Sequence, residues 1–144
     1  LQKRSGKENF PKDILFDCTI CAECCRDSGK HRRRIIFSEK EAEEISLASG
    51  ISKATFSVRS GRKDAYSRRM RKISGNCFFL NIESRLCRIY EKRPLVCRFY
   101  PFELREDGSW ACAKPSDCEG LGRGEVVRPA HFRRLLKRAK EVFY

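Results

Sequence analysis

The sequence predicts a small α+β fold, a single domain of β-hairpins and short helices organised around a cysteine metal site. Nine cysteines in 144 residues are the first sign. The second is a chain in which turn dipeptides between short apolar runs alternate with helix-capping residues. The third is a modest core: 40% of residues are hydrophobic and 35% charged, and a domain so composed often needs a covalent or metal staple. A disulfide framework suits the cysteines poorly, because their number is odd and Cys24 and Cys25 are adjacent.

The chain begins polar and charged without periodicity, so residues 1–15 are expected as a flexible N-terminal arm and residues 16–144 as the metal-binding domain. After the first cysteines, Arg32, Arg33, Arg34, Ile35, Ile36 and Phe37 predict a short strand. Ser38 with Glu41 three positions later forms a capping box, starting a helix that Gly50 stops. Ser52 caps a second short helix towards Phe56. Residues 59–72 carry seven basic residues and one acid, show no core-forming pattern and are expected to be exposed. From Cys77 the texture turns apolar and aromatic, and residues 77–90 read as a hairpin about a polar turn at 81–85. Pro94 opens a short helix through Phe99 that Pro101 ends. Asp107-Gly108 marks a second hairpin between residues 102–104 and 110–113, and Gly120, Gly122 and Gly124 suggest a flexible link. Pro129 then opens an amphipathic helix whose Phe132, Leu135, Leu136, Ala139 and Phe143 recur at helical spacing, with basic residues elsewhere on its surface.

Lysine and arginine number 32 against 19 acidic residues, a net +13 that exceeds what solubility asks of a small domain and points to a polyanionic partner. The expected partner is RNA or a ribonucleoprotein particle. Its contacts are expected from Arg32, Arg33 and Arg34, from Arg62, Lys63, Arg68, Arg69, Arg71 and Lys72, and from Arg133, Arg134, Lys137 and Arg138. No apolar run approaches the ~18 residues of a membrane span, so no membrane partner is expected and the location is expected to be cytoplasmic. No phosphate-binding loop, dinucleotide fingerprint or Ser-His-Asp set occurs, which leaves nucleotide-dependent and classical hydrolytic catalysis without support.

Cys18-x-x-Cys21-x-x-Cys24-Cys25 is the most specific feature. Spacings of three place Cys18, Cys21 and Cys24 near one another on a turn, as thiolates at ~2.3 Å from one metal require. Adjacent Cys24 and Cys25 point in different directions, so one is spare or two sites exist. Ferredoxin-type iron-sulfur sites use the same run with a remote fourth cysteine just before a proline; here Cys97 precedes Pro101 by four residues and no second run follows. His31 and His131, the two histidines, read as a surface and a structural residue. Arg88, Arg93 and Arg98 beside the cysteines read equally as donors to sulfur or as ordinary surface arginines.

The cysteine run, together with Gly75-Asn76-Cys77-Phe78-Phe79-Leu80, Cys87-Arg88-Ile89-Tyr90-Glu91, Arg93-Pro94, Cys97-Arg98-Phe99-Tyr100-Pro101-Phe102 and Cys118-Glu119-Gly120-Leu121-Gly122, resembles the CxxCxxCC domain. These are the zinc- or iron-chelating, YkgJ-like cysteine cluster proteins, and a similar cluster occurs in flagellin lysine methylases. The resemblance spans residues 16–124, with Ala22 where the family usually has glycine and a more basic 59–72 stretch than is typical. It implies metal ligation by Cys18, Cys21, Cys24, Cys25, Cys77, Cys87, Cys97 and Cys118, with Cys112 extra. The cofactor expected from the run and the resemblance is a [4Fe-4S] cluster, with Zn2+ as the alternative. The expected function is a metal-binding module docking on RNA. The alternatives are an iron-sulfur enzyme or subunit related to the protein lysine N-methylases, or a metal-delivery protein.

Overall fold

The structure is a computed structural model that describes residues 9–18, 25, 33–105, 107–113 and 118–143. Among them, helices and short strands mix as an α+β domain. Helix α1, Glu39–Ser49, starts where the capping box predicts: Ser38 Oγ accepts the Glu41 N–H and the Glu41 carboxylate accepts the Ser38 N–H. It stops at Gly50, whose left-handed backbone directs its N–H to the Ser46 carbonyl. Helix α2 follows at Lys53–Phe56. Helix α3, Leu95–Phe99, begins after Pro94, and helix α4, Pro129–Phe143, buries Phe132, Leu135, Ala139 and Val142.

The largest sheet has three antiparallel strands in the order β2 (Ile36–Phe37), β4 (Arg68–Met70), β3 (Ser57–Arg59). Part of the basic 59–72 stretch is thus its central strand, not an exposed run. The departure has a physical reason, since the inward positions of β4 are Arg68 and Met70 and an inward arginine hides the apolar alternation. Arg68 is accepted there because Ser57 Oγ takes its Nε at 2.8 Å and Glu39 its Nη1 at 3.2 Å.

Two-stranded hairpins make up the rest. β5 (Lys72–Ile73) and β6 (Asn76–Cys77) pair through Ser74-Gly75, both at positive φ as a two-residue hairpin turn demands. Cys77 therefore ends this hairpin rather than opening the next one. β7 (Leu80–Asn81) and β8 (Leu86–Cys87) pair across a turn in which Asn81 Oδ1 accepts the N–H groups of Glu83 and Ser84. β9 (Phe102–Leu104) and β10 (Trp110–Cys112) pair about Asp107-Gly108 as expected.

β1 (Leu15–Phe16) pairs with β11 (Leu121–Val126), so the glycine-rich segment is a strand and not a link. Its glycines are needed for close approach: a Cβ at Gly120 would stand 2.2 Å from the Asp17 carbonyl oxygen, and one at Gly124, where φ is +77, 2.7 Å from Asp17 Cβ. Gly120→Ala should therefore part the two strands and cost about 1–3 kcal/mol, the usual range for forcing atoms into a packed site. Thermal unfolding of this variant beside Gly122→Ala, whose added Cβ meets nothing within 4 Å and which therefore carries only the backbone strain of its φ of +83, checks it. Upstream of β1, Phe10 stacks on Phe132 at 5.5 Å and meets Trp110 edge-on at 6.1 Å.

The core divides in two main parts. One surrounds Phe37, Phe56 and Phe79, with ring centroids 6.4 and 5.2 Å apart along the series. The other joins Phe102, Phe132 and Leu135 to Phe10, Phe99 and Trp110. Leu95 of α3 packs on Ala139 and Val142 of α4. No helix among the described residues is long and apolar enough to cross a membrane.

Candidate metal centre

Four of the expected ligand cysteines reach one core from four separate segments. Cys77 ends β6 opposite Lys72 and is buried. Cys87 ends β8 opposite Leu80, itself only three residues beyond Cys77, so the paired hairpin carries both thiols to the same region. Cys97 lies in α3, its N–H bound to the Pro94 carbonyl at 2.9 Å. Cys25, Cys87 and Cys97 are half-buried against the cluster that contains Cys77, Phe79, Leu80 and Ile89. A small hollow of about 290 Å³ between Ala48 and residues 87–92 gives the Cys87 side an approach from solvent.

A second pair is set by the β1–β11 strands. The Asp17 N–H binds the Gly120 carbonyl at 3.0 Å and the Leu121 N–H binds the Cys118 carbonyl at 3.2 Å. Exposed Cys18, next to Asp17, and buried Cys118 are thereby held at the same end of this ladder. Cys112 ends β10 opposite Phe102, is exposed, and has its thiol pushed up by partial burial. Cys21 and Cys24, with His31 and Arg32, lie outside the described residues. Among the described residues no three His, Cys, Asp or Glu side chains converge on one ion position. The donor chemistry nevertheless fits zinc or iron, because the side chains brought to the core are thiols in apolar surroundings, the donors those ions take.

The chain between Cys87 and Cys97 is fixed by arginines whose hydrogen bonds run to carbonyl oxygens. Arg93 Nη1 reaches the Tyr90 carbonyl at 3.0 Å while its guanidinium lies 4.0 Å above the Tyr90 ring. Arg98 donates to the carbonyls of Arg93 at 3.0 Å and Glu91 at 2.6 Å. Burial, with Arg93 and Arg138 nearby, lowers the Arg98 pKa from its ordinary value, yet a guanidinium remains a cation in protein. Arg33 donates to the Val96 carbonyl at 2.9 Å and covers the Tyr100 ring at 4.4 Å, and Lys72 Nζ binds the Arg33 carbonyl.

Sequence reasoning missed Glu41 as more than a cap. It is 3% exposed, and while Oε1 serves Ser38, Oε2 accepts the Leu95 N–H at 2.7 Å. One carboxylate thus closes the N-termini of α1 and of the helix that carries Cys97. Burial raises its pKa from the ordinary value against these hydrogen bonds and the charge of Arg138. His131, half-buried near the rings of Phe102 and Phe132, has its pKa lowered by burial and then by Arg134 and Arg93, which keeps it neutral and structural.

The basic residues divide by use. Arg62 forms an ion pair with Asp64 at 2.5 Å, Arg68 is held by Glu39, and Arg138 pairs with Glu44 and, at 3.3 Å, with Glu141. With Arg33 and Lys72, these five of the expected nucleic-acid contacts are also engaged within the fold, Arg62 only with its near neighbour in one loop. Arg34, Lys63, Arg71, Arg133, Arg134 and Lys137 are exposed, and Arg69 is half-buried.

Comparison with known proteins matches residues 17–119 to the CxxCxxCC model, described as "Putative zinc- or iron-chelating domain". The chain is similar to the uncharacterized protein MJ0661 of Methanocaldococcus jannaschii, 33% identical over 115 residues that cover 71% of this chain and 58% of the relative. It is also similar to the uncharacterized protein MJ0939 of the same organism, 25% identical over 124 residues that cover 81% of this chain and 41% of the relative. The chain spans about half the length of the curated relatives it matches. No solved structure matches it.

Proposed function

This chain belongs to the CxxCxxCC family of zinc- or iron-chelating domains, and from that premise we propose that its cysteines hold a [4Fe-4S] cluster and that its basic surface docks on RNA. The observation that carries the metal reading is the arrival of Cys25, Cys77, Cys87 and Cys97 at one core from four segments. Thiols gathered at one core can supply thiolates together, and a [4Fe-4S] cluster takes four of them. The Cys18-x-x-Cys21-x-x-Cys24 spacing supports iron over zinc, since iron-sulfur sites use the same run. Its four thiolates would be drawn from Cys18, Cys21, Cys24, Cys25, Cys77, Cys87, Cys97 and Cys118. When bound, the cluster supplies a redox-capable, folding-linked staple, while the chain's own arginines and Glu41 fix the backbone that presents the thiols.

Protein purified without oxygen is expected to be brown, with broad absorbance near ~400 nm that bleaches on reduction. A colourless protein with stoichiometric zinc and no iron would overturn the choice of metal. The RNA half of the reading rests on the net charge of +13 and on the exposed Arg34, Lys63, Arg71, Arg134 and Lys137.

A further inference from the structure

We infer that the outer face of the three-stranded sheet, through Arg34, Arg69 and Arg71, is the surface that grips the RNA phosphate backbone. The inference rests on the RNA-docking reading above and locates it. Register defines the face. Ile36, Arg69 and Val58 stand side by side across β2, β4 and β3, and alternation sends them to the side opposite the buried Ile35, Phe37, Ser57 and Met70. Arg71 follows Arg69 by the two-residue period, its backbone still tied to neighbouring chain by the bonds of its N–H to Phe56 and of its carbonyl to Phe78. Arg34 precedes Ile36 by the same period and is exposed.

Charge on this face lacks compensation. Among the described residues, no ion pair or side-chain hydrogen bond engages Arg34, Arg69 or Arg71, whereas Arg62, Arg68 and Arg138 each have a carboxylate. Positions two apart on a strand are about 6.6–6.8 Å from each other, so Arg69 and Arg71 can each take a phosphate of one extended strand. Half-buried Ile36 and Val58 beside them give a base an apolar surface next to a guanidinium plane. Three arginines rather than lysines favour a planar, bidentate phosphate ligand over the diffuse charge of a lipid surface.

The test measures binding of fluorescent single-stranded and hairpin RNA to the metal-loaded protein across a salt series. Arg34→Gln/Arg69→Gln/Arg71→Gln is compared with a control of equal charge change, Arg105→Gln/Arg123→Gln/Arg128→Gln, at exposed arginines away from the expected contacts, with metal content and thermal unfolding as folding controls. The sheet variant is expected to flatten the slope of log affinity against log salt by about 2 for single strands or about 2.7 for duplex, at 0.7 or 0.9 per phosphate. The control variant should leave the slope near that of the wild type. If the wild type binds RNA but the sheet variant keeps its slope, the face is wrong and the docking reading survives. If the wild type binds neither RNA at low salt, or binds vesicles with 30% phosphatidylserine instead, the docking reading itself falls and this inference with it.

Discussion

Replacing Cys87 by Ser is expected to strip the metal from the protein and leave the domain open to protease, whereas Cys112→Ser is expected to keep both metal and fold. Cys87 packs on the same core as Cys25, Cys77 and Cys97, while Cys112 is an exposed strand end. A thiolate set that forms only in the folded chain makes metal affinity part of folding free energy, and in small zinc domains that term is roughly 10–16 kcal/mol. Removing one of four thiolates forfeits a share of it comparable with the ~5–15 kcal/mol by which whole domains are stable. A surface cysteine removed without such a bond changes stability by about 0.5 kcal/mol or less. Metal per chain and limited proteolysis of the two variants check the pair. Equal loss at Cys112, or full metal in Cys87→Ser, would show that the ligand set is drawn wrongly.

Glu41→Ala is expected to destabilise the protein by roughly 2–6 kcal/mol, because it leaves the buried N–H groups of Ser38 and Leu95 without an acceptor at about 1–3 kcal/mol each. Leu95 opens the helix that carries Cys97, so the same change should loosen that ligand and speed metal loss to a chelator. Glu41→Gln gives the pH signature. Burial raises the folded pKa of Glu41 above its ordinary value of 4.5, so between the two the folded state holds more protons than the unfolded one. Wild-type stability should then fall relative to Glu41→Gln as pH rises from 4.5 through the raised value, and the difference should level off above it. Thermal unfolding of both proteins across this range reads it directly. A difference that grows in favour of the wild type over that window would mean that the two N–H bonds outweigh burial.

Much of the fold was legible because its signals are local. The Ser38–Glu41 box, the Gly50 stop, the Asp107-Gly108 turn and the apolar stripe of α4 each act within a turn or two of chain, where spacing alone decides the geometry. The hairpin about the 81–85 turn forms as expected but starts at Leu80 rather than Cys77, because Ser74-Gly75 makes a tighter two-residue turn that captures Asn76–Cys77 as its second strand. The glycines after Cys118 read as a link because composition cannot distinguish freedom from close approach, and it is Asp17, far away in sequence, that needs the missing side chains.

Arginine shows the limit most plainly. Composition counts Arg68, Arg69 and Arg71 alike, yet Arg68 turns inward to Glu39 and Ser57 while Arg69 falls on the outer face with Val58 and Ile36. The same holds for Glu41, whose first oxygen answers a residue three positions away and whose second answers one 54 positions away. The sequence by itself determined the family and the α+β class, because residue type and short spacing carry them. The tertiary structure alone decided which cysteines share a core, which arginines are consumed by the fold and which carboxylate anchors the Cys97 helix. Those outcomes depend on strand pairing and burial between distant segments, and the strength of an ion pair or hydrogen bond is set by the surroundings that such packing creates.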